Sequence, residues 1–211
     1  MFPYGIDRKA FLIMRASMSS VSPDLLAWRR QTGVDRFDEM WEGELHMNAA
    51  PHGSHQILRD DLLVWLKRWW EKEHGFVISQ RNLARKEEWP TNYRIPDIVM
   101  MTTEQSAYDM GEFIAGPPLV AIEIRRPDDE SYDKLPFYAD FGVTEVWIID
   151  RRAKLVDLFA LSNGEYTRID SDASGWITSQ ATPIQLRPLD DTRVSIRHTS
   201  RGDSEAILPD H

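Results

Sequence analysis

Residues 116–150, GPPLVAIEIRRPDDESYDKLPFYADFGVTEVWIID, decide the fold of this chain. Two apolar segments within them, LVAIEI and VTEVWIID, have the length and the β-branched residues that are typical of buried strands. Between them, DKLPFYADFG is predicted to be a short helix, with Pro136 in its first turn and Gly142 at its end. The second strand is almost entirely apolar, which predicts a central position in a sheet.

The segments before this stretch predict two further strands, a helix and a hairpin. FVISQRNLARK (76–86) and YRIPDIVMM (93–101) are the strands, and the polar turn EEWPTN joins them. Farther upstream, SPDLLAWRRQTG is predicted to be a helix because Ser22 can cap its start and Gly33 can end it. The segment MWEGELHMNAA follows, and Gly43 is the turn of its predicted hairpin.

The strongest helical pattern is SHQILRDDLLVWLKRWWEKEHG, residues 54–75. Its apolar side chains recur every three or four residues and form one wide stripe of Leu58, Leu62, Trp65, Leu66 and Trp69. Ser54 is expected to cap the start of this helix, and Gly75 is expected to end it. Trp69 and Trp70 are expected to pack in the core or in a dimer contact rather than to bind a ligand.

Shorter strand candidates follow Asp150, and they predict an antiparallel meander. These candidates are KLVDLFAL, EYTRID, GWITS and PIQLRPL, separated by turn sequences such as SNGE and DASG. The whole pattern predicts an α/β (α+β) fold, with a mixed central sheet flanked by helices and the antiparallel meander at its C-terminal end. Residues 1–21 are expected to be an irregular lead-in, 22–198 a single domain and 199–211 a frayed tail.

The composition is that of a globular protein with an acidic balance. The 211 residues are 42% hydrophobic, carry a formal net charge of −9 and include no cysteine. Disulfides and thiolate metal sites are therefore excluded, and no bulk positive field attracts nucleic acid, although a bound metal or a local basic groove can do so. The apolar patch AFLIM is too short for a secretory signal or a membrane span, so a cytoplasmic protein without membrane contact is expected.

Two of the predicted buried strands carry one acidic residue each, Asp97 and Glu123. Glu123 and Arg125 project from the same face of their strand, and Asp97 opens its own strand. If the two strands are neighbours, their register can bring Asp97 opposite Glu123, where the carboxylates repel unless a cation lies between them. Mg²⁺ suits such a site. The alternative is that Arg125 or Arg126 neutralises Glu123, and that Asp97 caps a turn after Pro96.

Three segments, taken in their order along the chain, resemble the Uma-two family. They are WEGELHMNAAPHGSHQILRDDLLVWL, RIPDIVMM and the stretch 116–150 quoted above. This family of restriction endonucleases belongs to the PD-(D/E)XK nuclease superfamily. The resemblance runs from about Asp38 to Asp150 and more loosely to about residue 190, and EIRRP followed by DKLPFYADFGVTEVWIID is its most specific part. It implies a restriction-endonuclease-like sheet, Mg²⁺ or Mn²⁺ as the cofactor, and Asp97 and Glu123 as metal ligands with catalytic roles.

The resemblance also implies roles for three residues that follow Glu123. Superfamily members usually have lysine where this chain has Arg125, which can stabilise charge on a phosphate but cannot act as a general base. Lys134, on the next helix, matches the position of a family lysine and is expected to orient water or stabilise the phosphate. Tyr138 lies one helical turn later and can contact the substrate from the same face, or it can be purely structural.

Two further candidates lie upstream. Glu44, in EGEL, matches an acidic position of the family and is the third candidate metal ligand, with Glu39 as its competitor. His55, near the start of the long helix, is expected to bind a phosphate or to position the metal-bound water. The alternative is that His55 begins the helix without any catalytic role.

These residues predict a metal-dependent endonuclease that hydrolyses phosphodiester bonds, with DNA as the expected nucleic-acid partner. The alternative is a binding or scaffold domain that keeps the nuclease fold without catalysis, and both Arg125 and the acidic surface favour it. A homodimer is also expected, because the Trp-rich helix and the meander offer more apolar surface than one domain of this size needs.

Overall fold

The structure is a computed structural model that describes residues 16–18, 21–48, 53–125, 129–150, 152 and 154–210. Along the chain its elements are β1 (Ala16–Met18), α1 (Pro23–Thr32), β2 (Glu39–Trp41), β3 (Glu44–Met47), α2 (Gly53–Leu66), a π-helical turn (Lys67–Glu71), α3 (Lys72–His74), β4 (Gly75–Ser79), β5 (Asn82–Leu83), β6 (Ile98–Thr102), a 3-10 turn (Glu104–Tyr108), β7 (Phe113–Ile114), β8 (Val120–Ile124), α4 (Leu135–Phe141), β9 (Glu145–Asp150), β10 (Leu155–Ser162), β11 (Glu165–Arg168), β12 (Ile177–Thr178), β13 (Ile184–Pro188), β14 (Val194–His198) and β15 (Ala206–Leu208).

A six-stranded mixed sheet forms the centre of the fold, with the strand order β11-β10-β9-β8-β6-β4. Strands β8 and β9 run parallel, and the other neighbouring strands of this sheet run antiparallel. The helix α4 connects the parallel pair, as a crossover of this kind requires. The prediction of a mixed sheet flanked by helices is therefore confirmed, and all six residues of the central strand β9 are buried.

The two faces of this sheet build two separate cores, because side chains on a strand alternate between faces. Val120, Ile122 and Ile124 of β8 pack into the core that contains the apolar stripe of α2. Ala121 points the other way, into the core that contains Phe137 and the other aromatic residues of α4. Burying each large apolar side chain of this kind contributes roughly 1.5–3 kcal/mol to folding. Glu123 lies on the α4 side of β8, where the functional cluster forms.

A small three-stranded sheet, with the order β1-β3-β2, lies beside the central one. Strands β2 and β3 form the predicted hairpin around Gly43, whose φ of 89° is in the left-handed region that favours glycine. The predicted helix α1 also forms, and the Leu25 backbone N–H donates to the Ser22 side chain at its start. The prediction of an irregular lead-in is wrong at Ala16–Met18, because these residues pair with β3. Residues 1–15 lie outside the described part of the chain.

The long helix deviates from its prediction at its start and in its second half. It begins at Gly53, so Ser54 lies inside the first turn instead of capping it. After Leu66 it widens into the π-helical turn, then closes with α3 and ends at Gly75 as predicted. The apolar stripe is buried as expected up to Leu66, whereas Trp70 is fully buried and Trp69 only partly so. Both tryptophans contact the core, in agreement with their predicted packing role.

The C-terminal strands do not all belong to one meander. The hairpin of β10 and β11 extends the central sheet, while β12, β13, β14 and β15 form a separate four-stranded antiparallel sheet. The predicted frayed tail is wrong for Ala206–Leu208, because these residues pair with β14 as the edge strand β15. The indole N–H of Trp65 donates to the Ser204 carbonyl at 2.8 Å, which ties α2 to this segment. Within the described ranges, no helix is both long enough and apolar enough to cross a membrane.

Candidate active site

Asp97 and Glu123 lie side by side at the ends of two adjacent strands. Strand β6 pairs antiparallel with β8 in a register that sets Ile98 opposite Ile122, so the preceding residue Asp97 comes opposite Glu123. The backbone N–H of Ile124 donates to Oδ2 of Asp97 at 2.8 Å and holds this carboxylate against the end of β8. This is the arrangement that the register argument predicts for neighbouring strands.

Lys134 and Tyr138 reach the same place from α4. The Lys134 ammonium donates to Oε1 of Glu123 at 3.0 Å, and the Tyr138 hydroxyl donates to the same oxygen at 2.5 Å. Lys134 immediately precedes α4 and Tyr138 lies one turn later, where the Tyr138 N–H donates to the Lys134 carbonyl. One helical turn therefore presents both groups to Glu123, and both side chains are buried.

Glu39, rather than Glu44, is the third acidic residue of this cluster. Its Oε1 lies 2.7 Å from the Lys134 ammonium and accepts the Ile95 backbone N–H at 2.8 Å, while its Oε2 accepts the Trp41 indole N–H at 2.8 Å. Glu39 is 1% exposed. Glu44 projects from the same face of the hairpin, but it lies next to the turn and does not line the cavity that the cluster borders. The choice of Glu44 over Glu39 is therefore not supported by the geometry.

His55 contacts the cluster through Asp97. Its Nε2 lies 3.1 Å from Oδ2 of Asp97, and the side chain is buried under the first turn of α2. Among the described residues, Nδ1 of His55 has no hydrogen-bond partner, although it is buried. The structure thus places His55 in contact with a candidate metal ligand, and its phosphate-binding or water-positioning role stays a prediction.

Arg125 points away from this cluster. Its Nη1 lies 2.6 Å from Oδ2 of Asp150, its Nε lies 3.6 Å from Oδ1 of Asp129, and its guanidinium lies over the Tyr132 ring. The cation that neutralises Glu123 is therefore Lys134, and the alternative of a salt bridge from Arg125 is wrong. Arg126, the other arginine of that alternative, lies outside the described residues.

Burial and charge give the members of the cluster unequal acidities. Burial raises the pKa of Glu123 to about 8; Lys134 opposes this rise, while the nearby carboxylates of Asp97 and Glu39 add to it. Burial acts in the same direction on Asp97, but contacts with His55 and the Ile124 N–H outweigh it and lower its pKa. For Lys134, the attraction of Glu123 and Glu39 outweighs burial and raises the pKa, so this ammonium stays protonated.

A small cavity of about 50 Å³ opens onto these groups. Its lining is mostly polar and consists of Phe37, Glu39, Asn48, His55, Gln80, Ile95, Asp97, Glu123, Ile124, Asp129, Glu130, Ser131 and Lys134. Glu130 also lines the cavity, and it was not predicted from the sequence. Each of its carboxylate oxygens lies 3.0 Å from Nδ1 of His46. The available signal was the acidic run DDE, residues 128–130, which begins four residues after the end of β8.

The cluster suits a hard divalent cation only in part. No three His, Asp or Glu side chains of the described residues are arranged as ligands of one ion. Mg²⁺ commonly uses one or two carboxylates and keeps several waters, so Asp97 and Glu123 with water are a sufficient donor set. Burial is the main cause of the raised pKa of Glu123, and the carboxylates of Asp97 and Glu39 add to it; a bound cation would favour the ionised carboxylate.

Comparison with known proteins identifies relatives of this fold and sequence. The sequence profile of the Uma2 family, described as "Putative restriction endonuclease", matches residues 22–190. Among solved structures, a crystal structure titled as a "putative nuclease belonging to DUF820" from Anabaena variabilis is similar, with a TM-score of 0.53 and 16% identity over 74% of this chain and 82% of that one. This likeness bears on the fold alone. No curated protein matches the chain.

Proposed function

Because this chain belongs to the Uma2 family, we propose that it is an endonuclease that uses a divalent metal ion to hydrolyse the phosphodiester bonds of DNA. The observation that carries this proposal is the contact set around Glu123. One carboxylate oxygen of Glu123 accepts both Lys134 and Tyr138, while Asp97 lies opposite it across two paired strands. Two acids and one lysine at a polar cavity form a donor set that suits metal-assisted hydrolysis.

Asp97 and Glu123 would hold the ion, and the other residues would position them. A bound Mg²⁺ or Mn²⁺ supplies positive charge to a phosphate and lowers the pKa of a coordinated water. His55 fixes the carboxylate of Asp97, and Tyr138 fixes that of Glu123. Lys134, kept protonated by Glu123 and Glu39, can donate a hydrogen bond to a phosphate oxygen whose negative charge grows during the reaction. Arg125 is committed to Asp150, and this placement gives no support to a direct role in the reaction.

Cleavage of supercoiled plasmid in Mg²⁺ or Mn²⁺ tests this proposal. We expect Asp97→Asn, Glu123→Gln and Lys134→Met each to lower the nicking rate by at least about 100-fold, because each removes a ligand or a charge at the phosphate. Asp140→Asn is the matched control, since the Asp140 side chain is 71% exposed and lies outside the cavity. Nicking by the Asp97 and Glu123 variants at the wild-type rate would refute the assignment.

A second candidate function is binding without catalysis, and one observation favours it. The Lys134 ammonium already bridges Glu123 and Glu39, so part of the negative charge that would attract a metal is neutralised. Under this alternative, the protein would show no Mn²⁺ binding that depends on Glu123. Titration calorimetry with Mn²⁺ separates the two functions: an endonuclease requires binding that Glu123→Gln abolishes, whereas a scaffold gives no such heat in either protein.

We further propose a setting for this activity. DNA is the proposed partner, and a cytoplasmic location would bring the protein to it. A homodimer is proposed through the surface that α2 shares with β15, where Val64 is 65% exposed and Ile207 is 40% exposed. Trp69 lines the same groove between these two elements. Exposed apolar side chains that line one groove together are typical of a protein contact.

A further inference from the structure

A second and larger cavity, of about 510 Å³, lies across the β2–β3 hairpin from the first one. Glu39 lines the first cavity, and its neighbour Met40 lines the second, because successive side chains of a strand point to opposite faces. Ile95 lines both cavities. The two cavities are therefore adjacent, with Ile95 in the wall between them.

One part of the wall of this second cavity is aromatic and apolar, and the rest is polar or charged. The Trp89 ring stacks on Phe113 with centroids 5.0 Å apart and an angle of 20°, and it also contacts Tyr93 at 5.0 Å. These contacts hold Trp89 in place as a half-buried wall, with Met40 and Ile95 beside it. The volume lies within the range of roughly 300–1,000 Å³ that is typical of small-molecule sites. A flat heterocycle of the size of a nucleobase matches such a space.

Charged side chains of both signs line this cavity: Asp35, Asp38 and Glu112 are acidic, and Arg30 and Arg36 are basic. Asp38 is occupied by Arg29, whose guanidinium donates to both carboxylate oxygens at 2.5 and 2.7 Å. Arg30 and Arg36 are exposed, and neither forms an ion pair with any residue that the structure describes. A neutral base suits the interior, while the two arginines can contact the phosphates on either side of it. The first cavity, by contrast, is strongly acidic and admits a phosphate only beside a cation.

We propose that the second cavity binds one unpaired nucleobase of the DNA strand whose phosphate occupies the first cavity. The inference rests on the proposed nuclease function and specifies its substrate class. A base within a duplex is stacked and paired, so it cannot enter a side cavity unless it leaves the helix. An unpaired base carries little of this cost and gains stacking on an aromatic wall. The substrate is therefore single-stranded DNA, or duplex DNA that contains unpaired bases.

Binding measured without cleavage tests this inference. Fluorescence anisotropy with Ca²⁺ in place of Mg²⁺ compares a labelled 20-nucleotide single strand, the matched duplex, and the same duplex with one unpaired base. We expect the wild type to bind the single strand and the bulged duplex about tenfold more tightly than the matched duplex, because only an unpaired base can stack on the aromatic wall. Leu26→Trp, which fills the cavity from α1, should abolish this preference, and Arg36→Ala should weaken binding to all three ligands.

Trp28→Ala is the matched control, because Trp28 also lies on α1, is 54% exposed and does not line the cavity. It should retain the preference for unpaired bases. Equal affinity for all three ligands, or a preference that Leu26→Trp leaves intact in a protein folded by circular dichroism, would overturn the inference. If Leu26→Trp does not fold, unchanged binding by the surface variant Arg36→Ala overturns it. Loss of plasmid nicking alone would refute the nuclease function and leave this binding result standing.

Discussion

At the scale of single residues, the carboxyl group of Glu123 makes folding sensitive to pH. Burial raises its pKa to about 8 in the folded protein, from an ordinary value of 4.5. Between these values the folded protein holds a proton that the unfolded chain releases, so stability is fully present below pH 4.5 and is lost as the pH rises to about 8. We expect the unfolding free energy of metal-free protein to lose up to about 1.4 kcal/mol per pH unit through this group.

Urea unfolding in EDTA at several pH values measures this effect. The difference between wild type and Glu123→Gln isolates the contribution of one carboxyl, because every other titrating group is common to both. The exposed Asp140→Asn should instead follow the wild type at each pH. A wild-type-minus-Glu123→Gln difference that stays constant from pH 5 to pH 8 would contradict the buried, charge-crowded environment of this side chain.

A second residue-scale prediction concerns Lys134. Lys134→Met leaves Glu39 and Glu123 buried without their common cation, which should cost about 3–5 kcal/mol of stability in metal-free buffer. Mg²⁺ should recover more stability in this variant than in the wild type, because it supplies the missing positive charge. Thermal unfolding with and without Mg²⁺ provides the measurement. The control is Lys86→Met, at an exposed lysine, which should change the unfolding free energy by less than about 0.5 kcal/mol. If Mg²⁺ stabilises Lys134→Met and Lys86→Met equally, the prediction of a cation at the cluster is contradicted.

The candidate site was predictable from the sequence where it depends on strand periodicity. Asp97 and Glu123 converge because alternation and register fix their directions, whereas Lys134 was expected only from its match to a family lysine. The choice between Glu39 and Glu44 was not predictable, since both lie on the same face of one hairpin. Only the position of that hairpin relative to Lys134 separates them, and this position is a property of the tertiary fold.

At the scale of the elements, the junction between α3 and β4 depends on the absence of a side chain at Gly75. A Cβ at this position would lie 2.0 Å from the Met101 carbonyl oxygen and 2.7 Å from Cα of Thr102 in the paired strand β6. Gly75→Ala should therefore force β4 and β6 apart and cost about 1–3 kcal/mol, which urea unfolding would show. Gly53→Ala is the control, because a Cβ at Gly53 meets no atom within 4 Å, and equal stability of the two variants would contradict the close approach.

The main elements follow from local signals, whereas the edges of the sheets do not. The helix α1 has its cap and its terminal glycine, and the central strand β9 has its unbroken apolar run. By contrast, β1 and β15 are three residues long, and each becomes a strand because a neighbouring strand offers it hydrogen-bond partners. Their own sequences carry no periodic pattern, so a terminal segment that pairs and one that frays look alike before folding. The π-helical turn after α2 likewise has no signal that sequence periodicity could detect.

At the scale of the whole molecule, the exposed apolar residues of α2 predict self-association. Val64→Lys should shift the protein from dimer to monomer without loss of fold, because a charge there would be buried in the proposed contact. Sedimentation equilibrium at micromolar concentration provides the measurement. Leu155→Lys is the matched control, since Leu155 is 44% exposed and begins β10 away from this groove. A wild-type protein that sediments as a monomer would refute the proposed dimer.

The hydrogen bond from the Ile124 backbone to Asp97 gives the molecule an internal spectroscopic probe. This amide proton points at a carboxylate instead of at a strand neighbour, so its NMR chemical shift depends directly on the charge of Asp97. A cation that withdraws electron density from Asp97 should move the Ile124 resonance while leaving amides in the middle of β8 nearly unchanged. The Ile124 resonance would then report how much of the protein has a cation bound at Asp97, without any nucleic acid in the sample.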